Sequence, residues 1–328
     1  MLDSILESIQ VVALPTKTDF RSIQVREVAL FEGRAGWGEF SPFLEYGAKE
    51  CVPWLVSGIE AAVVEAPRPL RQKISVNATL PALNSREEIV TALSWYPGCT
   101  TVKIKVGSNL SEDLARIAIV RELLPTAKIR VDVNGNWSVD HALAVIKEMY
   151  AGGELEYIEQ PCGTLEELRE LKGRLEVPVL IAGDEVIRKS ANPLALDLRG
   201  AIDIVMLKVA PLGGIKRSLE IAKMHGMHAI VSSALDSAVG ISYGLKLAAT
   251  VPELNYACGL ATGELLKNDV ATLPIIDGAI AVKSVVPDSV ALNENAISPE
   301  RLSWWRKRVR DTWNAGAQEW VSKEGWDS

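Results

Sequence analysis

Five charged residues recur at nearly constant intervals along the middle of this chain, each inside or ending an apolar, strand-like segment. They are Lys105 in TVKIKVG, Asp132 in KIRVDVN, Glu159 in LEYIEQP, Asp184 in VPVLIAGDE and Lys208 in AIDIVMLKVA. The steps of 27, 27, 25 and 24 residues match one strand plus one crossover helix, the unit of a parallel β/α barrel. A charge in a buried strand costs several kcal/mol unless it is paired or bound to a metal, so five at this spacing imply a purpose. In such barrels the C-terminal strand ends form the active site. The expected constellation is three carboxylates around one mouth, with a lysine on either side.

The rest of the chain is organised around that rhythm. Strands are expected near 74–82, 101–106, 128–134, 155–160, 177–183, 201–209, 228–234 and 255–261. Helices are expected near 86–96, 110–124, 138–151, 164–174, 190–199, 214–225 and 238–250. The strands read as near-continuous apolar runs, as parallel strands buried on both faces do. The fold class is therefore α/β: a (β/α)7β barrel, a modified TIM barrel, with an α+β capping domain. Residues 1–72 do not follow the βα rhythm and supply the first part of the cap, with paired strands broken at Glu32-Gly33-Arg34 and Gly36, then a helix. Residues 73–265 form the barrel. Residues 266–328 are expected to return to the cap, with tryptophans 304, 305, 313, 320 and 326 as packing anchors.

Composition narrows the function. A net charge of −7 without a basic, aromatic-interleaved cluster argues against nucleic acid. No apolar run reaches membrane-spanning length, and the acidic N-terminus MLDSILESIQVV lacks the basic start of a signal peptide, so a cytoplasmic protein without membrane insertion is expected. Four scattered cysteines without a C-x-x-C pair read as buried free thiols. Only three histidines occur, His141, His225 and His228, none of them at a strand end facing the mouth. The general base must be something else. Nothing in the sequence specifies an oligomeric state.

Asp132, Glu159 and Asp184 would repel one another unless a cation neutralised them. All-oxygen ligation without Cys or His points to Mg²⁺ or a similar hard ion. Lys103 and Lys105 sit at i and i+2 of one strand and share a face. Two ammonium groups so close are expected to depress each other's pKa, with Lys105 nearer the mouth as the base and Lys103 as its tuner. Lys208 ends its strand, three strands after that of Lys105, and is expected on the opposing wall. Asn134, at i+2 from Asp132, and Glu185, beside Asp184, are expected to support the ligands through hydrogen bonds. Gly213-Gly214 offers backbone N–H groups to an anion. Ser232, Ser233 and Asp236, ending the seventh strand, are candidates for substrate contact.

These residues carry a resemblance. The run K-x-K (103–105), D-x-N-x-x-W (132–137), E-Q-P (159–161), D-E (184–185) and Lys208 resembles the enolase superfamily, in its muconate-lactonizing-like subgroup, whose sites pair Lys or His bases with Mg²⁺. The blocks FRSIQVRE, GWGEFSPFLEY, VNATLPA, SSALDSAVG and GLATGELLKNDV are similar to the branch of that superfamily serving menaquinone biosynthesis, and the likeness covers essentially the whole chain. Asp236 stands where many members of the family carry Glu.

The resemblance implies a lyase that dehydrates a small-molecule carboxylate, 2-succinyl-6-hydroxy-2,4-cyclohexadiene-1-carboxylate. It further implies Mg²⁺ (or Mn²⁺) on Asp132, Glu159 and Asp184, Lys105 as acid–base and Lys208 as a fixed positive charge. The cap loop near Phe20 and Arg21 would close over the mouth and meet the succinyl tail. Racemisation of an N-acylamino acid on the same machinery is the alternative, with Lys105 and Lys208 as the two bases. A muconate cycloisomerase fits the flanking blocks less well. A non-catalytic binding barrel is disfavoured, because no ligand or lysine position is lost.

Overall fold

The computed structural model describes residues 1–20 and 22–326. The chain opens with a short helix, α1 (Leu2–Ser8), and three antiparallel strands in the order β1 (Gln10–Phe20), β2 (Ile23–Gly33) and β3 (Gly36–Phe40). Helix α2 (Ala48–Val63) packs on β3. The approach is close because the contact is glycine on glycine: a Cβ at Gly38 would lie 2.1 Å from the carbonyl oxygen of Gly58.

The barrel begins with β4 (Lys73–Ser75) and β5 (Ala78–Leu80), so the expected first strand is divided in two. It continues through α3 (Arg86–Ser94), β6 (Thr101–Lys105), α4 (Leu110–Leu123), β7 (Lys128–Asp132), α5 (Val139–Ala151), β8 (Tyr157–Glu159), α6 (Leu165–Arg174) and β9 (Leu180–Gly183). Helix starts are fixed by side chains: Ser85 with Glu88 and Thr164 with Glu167 form capping boxes, and Asn109 and Ser138 cap α4 and α5. The remaining elements are α7 (Glu185–Arg188), β10 (Ile204–Lys208), α8 (Val209–Leu212), α9 (Ile215–His225), β11 (His228–Ser232) and α10 (Ala238–Thr250).

Strands β5 to β11 form one parallel sheet in sequence order. Parallel bridges from Val76 to Cys258 and from Ser232 to Gly259 join its two edges through residues 258–259. The eighth strand is thus present as a minimal closing segment rather than across 255–261. All residues of β10 are buried, as a two-faced parallel strand requires.

Two expectations are corrected. The helix expected at 190–199 is absent; α7 and a single 3₁₀ turn at Pro193–Ala195 replace it. Proline disfavours a helical residue before it, so Asn192-Pro193 breaks the apolar pattern of NPLALDL. The Lys208 strand also lies four positions from that of Lys105, not three, half the circuit of an eight-strand barrel.

After the barrel, β12 (Ala279–Ala281) pairs with β4, and α11 (Ser289–Glu294), α12 (Pro299–Thr312) and α13 (Gln318–Glu324) follow. The C-terminal helices return to the cap. Trp305 is fully buried, meets Phe40 edge-to-face at 5.9 Å and donates its indole N–H to Glu27 at 2.5 Å. Trp313 is buried in the same cluster, while Trp304 lies at the surface beneath Arg301. Among the described residues no helix is long and apolar enough to cross a membrane.

Candidate active site

The register of the sheet assembles the site. Lys105 pairs laterally with Asp132, and Asp132 with Glu159. Laterally paired residues of a parallel sheet point to one face, so three neighbouring strands present these groups together. Asp184 lies two residues beyond Ala182, the partner of Glu159. Lys208 lies four beyond Ile204, the partner of Ala182. This climb is the stagger of a closed barrel, and it carries the five groups around one rim.

Lys103 reaches up between two carboxylates, 2.6 Å from Glu159 Oε2 and 2.9 Å from Asp132 Oδ2. Lys105 donates to Asp132 Oδ2 at 2.6 Å and to Asn134 Oδ1 at 2.7 Å. Lys208, on the far wall, donates to Asp184 Oδ2 at 2.6 Å. Asn134, in the left-handed region at φ 55°, also donates to Glu185 Oε1 at 3.1 Å. The structure therefore joins both expected supporting residues to the rim.

Sequence reasoning missed two members. Arg188 donates from Nε to both oxygens of Asp184 at 3.2 Å, from Nη1 to the Tyr46 hydroxyl at 3.0 Å and from Nη2 to Glu185 Oε1 at 2.7 Å. The signal was present, because in DEVIR the arginine stands at i+4 and i+3 from the two acids. Gln160 accepts from the backbone N–H of Asp184 at 2.9 Å and of Val186 at 3.3 Å, holding the Asp184 turn from the neighbouring strand.

Protonation follows from this pairing. Burial opposes ionisation of Asp132, but the ammonium groups of Lys103, Lys105 and Lys208 outweigh it and hold the carboxyl well below its usual range. Asp184 is likewise held low against burial by Lys208 and Arg188. Glu159 is pushed up to about 7 by burial and by the neighbouring Asp132 charge. The lysines divide, against the expected mutual depression. Burial and the Lys103 charge lower Lys105 against the pull of Asp132. Lys103 is raised well above its ordinary value, because Asp132 and Glu159 together outweigh its burial.

The donor set suits a hard divalent cation: three carboxylates, no sulfur or imidazole, and one buried oxygen, Glu159 Oε1, with no hydrogen-bond partner. Among the described residues no three acids are gathered closely enough to enclose an ion as they stand. Lys103 lies between Asp132 and Glu159, and Lys208 is bonded to Asp184.

The mouth above these groups is narrow, with only about 30 Å³ of free space, and is lined by Phe20, Phe43, Thr79, both wall lysines, Ser232, Ser233, Leu235 and Thr262. Larger grooves beside α9 contain none of the five rim groups. The Phe20 ring lies 5.6 Å from Lys105 Nζ and brings the cap over that lysine. Arg21 lies outside the described residues. Ser233 donates to the Gly259 carbonyl at 2.6 Å and lies 2.8 Å from the Thr262 hydroxyl. Ser232 makes a longer bond to the same carbonyl, at 3.4 Å. Asp236 is set behind this wall and is not among the lining residues.

The N–H groups of Gly213 and Gly214 are spent on the carbonyls of Ala210 and Val209, against the expectation that they face an anion; the next two amides meet a carboxylate from the cap. Glu60 of α2 accepts from the N–H groups of Ile215 at 2.6 Å and Lys216 at 3.1 Å, and from the Tyr243 hydroxyl at 2.7 Å. A carboxylate is thus fixed at the positive end of α9.

Comparison with known proteins agrees with this architecture. A family model described as enolase C-terminal domain-like matches residues 87–288, and one described as enolase N-terminal domain-like matches residues 11–62. The chain is 50% identical to the o-succinylbenzoate synthase of Mycolicibacterium smegmatis over 94% of this chain and 96% of that one. It is 47% identical to the o-succinylbenzoate synthase of Mycobacterium tuberculosis, over 94% of each chain. Among solved structures, muconate lactonizing enzyme from Pseudomonas putida superposes with a TM-score of 0.71 at 21% identity, over 88% of this chain and 98% of that one. The enzyme from Pseudomonas fluorescens gives 0.74 at 22% identity with the same coverage.

Proposed function

The chain belongs to the o-succinylbenzoate synthase family of the enolase superfamily, and from that premise we propose that it dehydrates 2-succinyl-6-hydroxy-2,4-cyclohexadiene-1-carboxylate to 2-succinylbenzoate, a step of menaquinone biosynthesis. One observation carries the reading: a half-buried lysine of lowered basicity faces a second lysine half a barrel away, with three carboxylates on the strands between them. The division into a cap, residues 1–72 with 266–328, and a barrel, residues 73–265, belongs to the same reading.

Asp132, Glu159 and Asp184 would hold Mg²⁺, with Mn²⁺ as a substitute, and the bound ion would offset the negative charge that builds on the substrate carboxylate. Lys105, as the free amine, takes the proton α to that carboxylate; the electron pair passes into the carboxylate as an enediolate. The pair then returns to form the ring double bond as the C–O bond to the hydroxyl breaks. The Lys105 ammonium gives its proton to the departing hydroxyl, water leaves, and the ring is aromatic. One residue thus handles both proton transfers on one face. Lys208 supplies fixed positive charge and a cation over the ring. Lys103, held protonated between Asp132 and Glu159, keeps its neighbour's proton loosely bound. Phe20 closes the mouth over the base, and Arg21, Ser232 and Ser233 are assigned to the succinyl side of the substrate.

The opposed lysines also suit a racemase, which needs a base on each face of an α-carbon, and this is the second reading. Assay of the purified protein with Mg²⁺ on the cyclohexadiene carboxylate and, in parallel, on an N-succinylamino acid tests both. Turnover of the first substrate supports dehydration. Turnover of the amino acid alone replaces it.

A further inference from the structure

The side chains of Glu39 and Asp236 converge in the seam between cap and barrel, behind the wall of the mouth. Glu39 comes from β3 and Asp236 from the turn between β11 and α10. Both are buried, 7% and 3% exposed, and both press on one point of backbone: a Cβ at Gly240 would lie 2.7 Å from Asp236 Cβ and 2.8 Å from Glu39 Oε2. Glu39 accepts from Ser41 Oγ at 2.5 Å, Ser237 Oγ at 2.6 Å, Gly240 N at 2.9 Å and Ser237 N at 3.3 Å, a full set for a carboxylate. Asp236 accepts only from Ala234 N at 3.3 Å. Its Oδ1 is buried without a partner, and so is the indole N–H of Trp37, which lines the same small cavity.

Among the described residues, the cations that face the two acids are also engaged elsewhere. Arg26 of β2 faces both acids, and its guanidinium also donates to the carbonyls of Ser41, Ala234 and Leu235. Lys208 of β10 faces Asp236 but is bonded to Asp184. On the other side Asp269 adds a third carboxyl, which accepts from Ala238 N at 2.8 Å, and Glu264 faces Asp269 in turn. Tyr243 of α10 gives its hydroxyl hydrogen to Glu60 instead of to the pair. Two adjoining carboxyls in a dry seam retain one proton under these conditions. Burial and the Asp236 charge accordingly push Glu39 up to about 7, and burial raises Asp236.

We propose that Glu39 and Asp236 are a positioning pair that holds one proton between them and thereby fixes the wall Ser233–Leu235 of the mouth against the cap. The wall depends on the pair at close range. Ala234 is bonded through its N–H to Asp236 and through its carbonyl to Arg26. Leu235 is held at φ 62°, a conformation that persists only where surroundings enforce it. The shared proton stands without any assigned reaction. The positioning role rests on the reaction proposed above, and the two are tested separately.

Thermal unfolding of the Mg²⁺-loaded protein, followed from about pH 5 to about pH 8, reads the proton. Across this window the folded pair binds more protons than the unfolded chain, so wild type loses stability as pH rises toward 7. Glu39→Gln and Asp236→Asn flatten this fall by a few degrees relative to wild type. Ser237→Ala, which removes a hydroxyl favouring the Glu39 anion, moves it to higher pH. If Glu39→Gln does not fold, the other two variants supply the same comparison. Parallel Tm–pH curves for wild type and the folded variants overturn the shared proton. Positioning is read from kinetics on the cyclohexadiene carboxylate: Asp236→Asn raises KM several-fold more than it lowers kcat, and Glu39→Gln alters the alkaline limb of kcat/KM. Altered Tm curves with unchanged KM and pH profile overturn the positioning role. A wild-type protein inert toward this substrate removes the assigned reaction, and the Tm comparison still decides the proton.

Discussion

Lys105 and Asp132 are lateral partners on adjacent parallel strands, and their side chains close to 2.6 Å at the C-terminal rim of the barrel. The contact sets the behaviour of both. Together with the charge of Lys103 it holds Asp132 in its ionised form, and it leaves Lys105 between opposed influences, burial lowering its basicity and the carboxylate restoring part of it. Asp132 Oδ2 is shared further, with Lys103 at 2.9 Å, so one carboxylate oxygen joins both lysines of the neighbouring strand.

The first prediction is metal dependence. Glu159 Oε1 is buried and unpartnered while its other oxygen is held by Lys103. Chelation should abolish activity, and Mg²⁺ or Mn²⁺ should restore it. Glu159→Gln should cost several kcal/mol of transition-state stabilisation and weaken Mg²⁺ binding in calorimetry. Full turnover in a verified metal-free preparation would sink the ligand assignment.

How much of this was legible in the sequence depended on whether a feature was local and periodic. The strand ends at Lys105, Asp132, Glu159, Asp184 and Lys208 were readable because each charge interrupts an apolar run at the βα interval. The false helix at 190–199 arose because NPLALDL has helical apolar spacing, and Pro193 overrode it. The split between Lys103 and Lys105 was not readable. Like-charge proximity follows from K-x-K, but the placing of Lys103 between two carboxylates requires the lateral register. Glu60 on the amides of α9 and Glu39 beside Asp236 join residues 155 and about 200 positions apart, and no local pattern announces such pairs.

Arg188 carries the second prediction. Its side chain is 4% exposed and spans Asp184, Glu185 and the cap residue Tyr46. Arg188→Ala leaves two buried carboxylates short of a partner and should destabilise the protein by about 3–5 kcal/mol. Arg188→Lys keeps the charge but cannot fork to both acids, so Mg²⁺ affinity should fall even where the fold survives. Wild-type Tm and metal affinity in both variants would show that Arg188 is dispensable to Asp184.

The third prediction concerns the join between cap and barrel. Gly214 stands at φ 109°, and a Cβ there would lie 1.7 Å from Glu60 Oε2. Gly214→Ala should force Glu60 off the amides of Ile215 and Lys216 while straining the backbone, a loss of at least about 2 kcal/mol. Glu60→Gln, which keeps the shape and one acceptor, should cost less. Denaturant unfolding distinguishes them. Equal stability of Gly214→Ala and wild type would mean that Glu60 does not clamp the cap to α9.

The last prediction separates dehydration from racemisation by the two lysines. In a one-faced elimination Lys105 carries both protons and Lys208 contributes charge alone; a racemase needs each as a proton carrier. Lys208→Arg keeps the positive charge beside Asp184 but cannot act as a base near neutral pH. It should abolish racemisation of an N-succinylamino acid while leaving measurable dehydration, and Lys105→Ala should abolish dehydration outright. Exchange of the α-proton in D₂O adds a readout for each face, since each lysine should exchange one enantiomer only. If Lys105→Ala still dehydrated and Lys208→Arg did not, the base would stand on the opposite wall, and the lowered basicity of Lys105 would have no part in the chemistry.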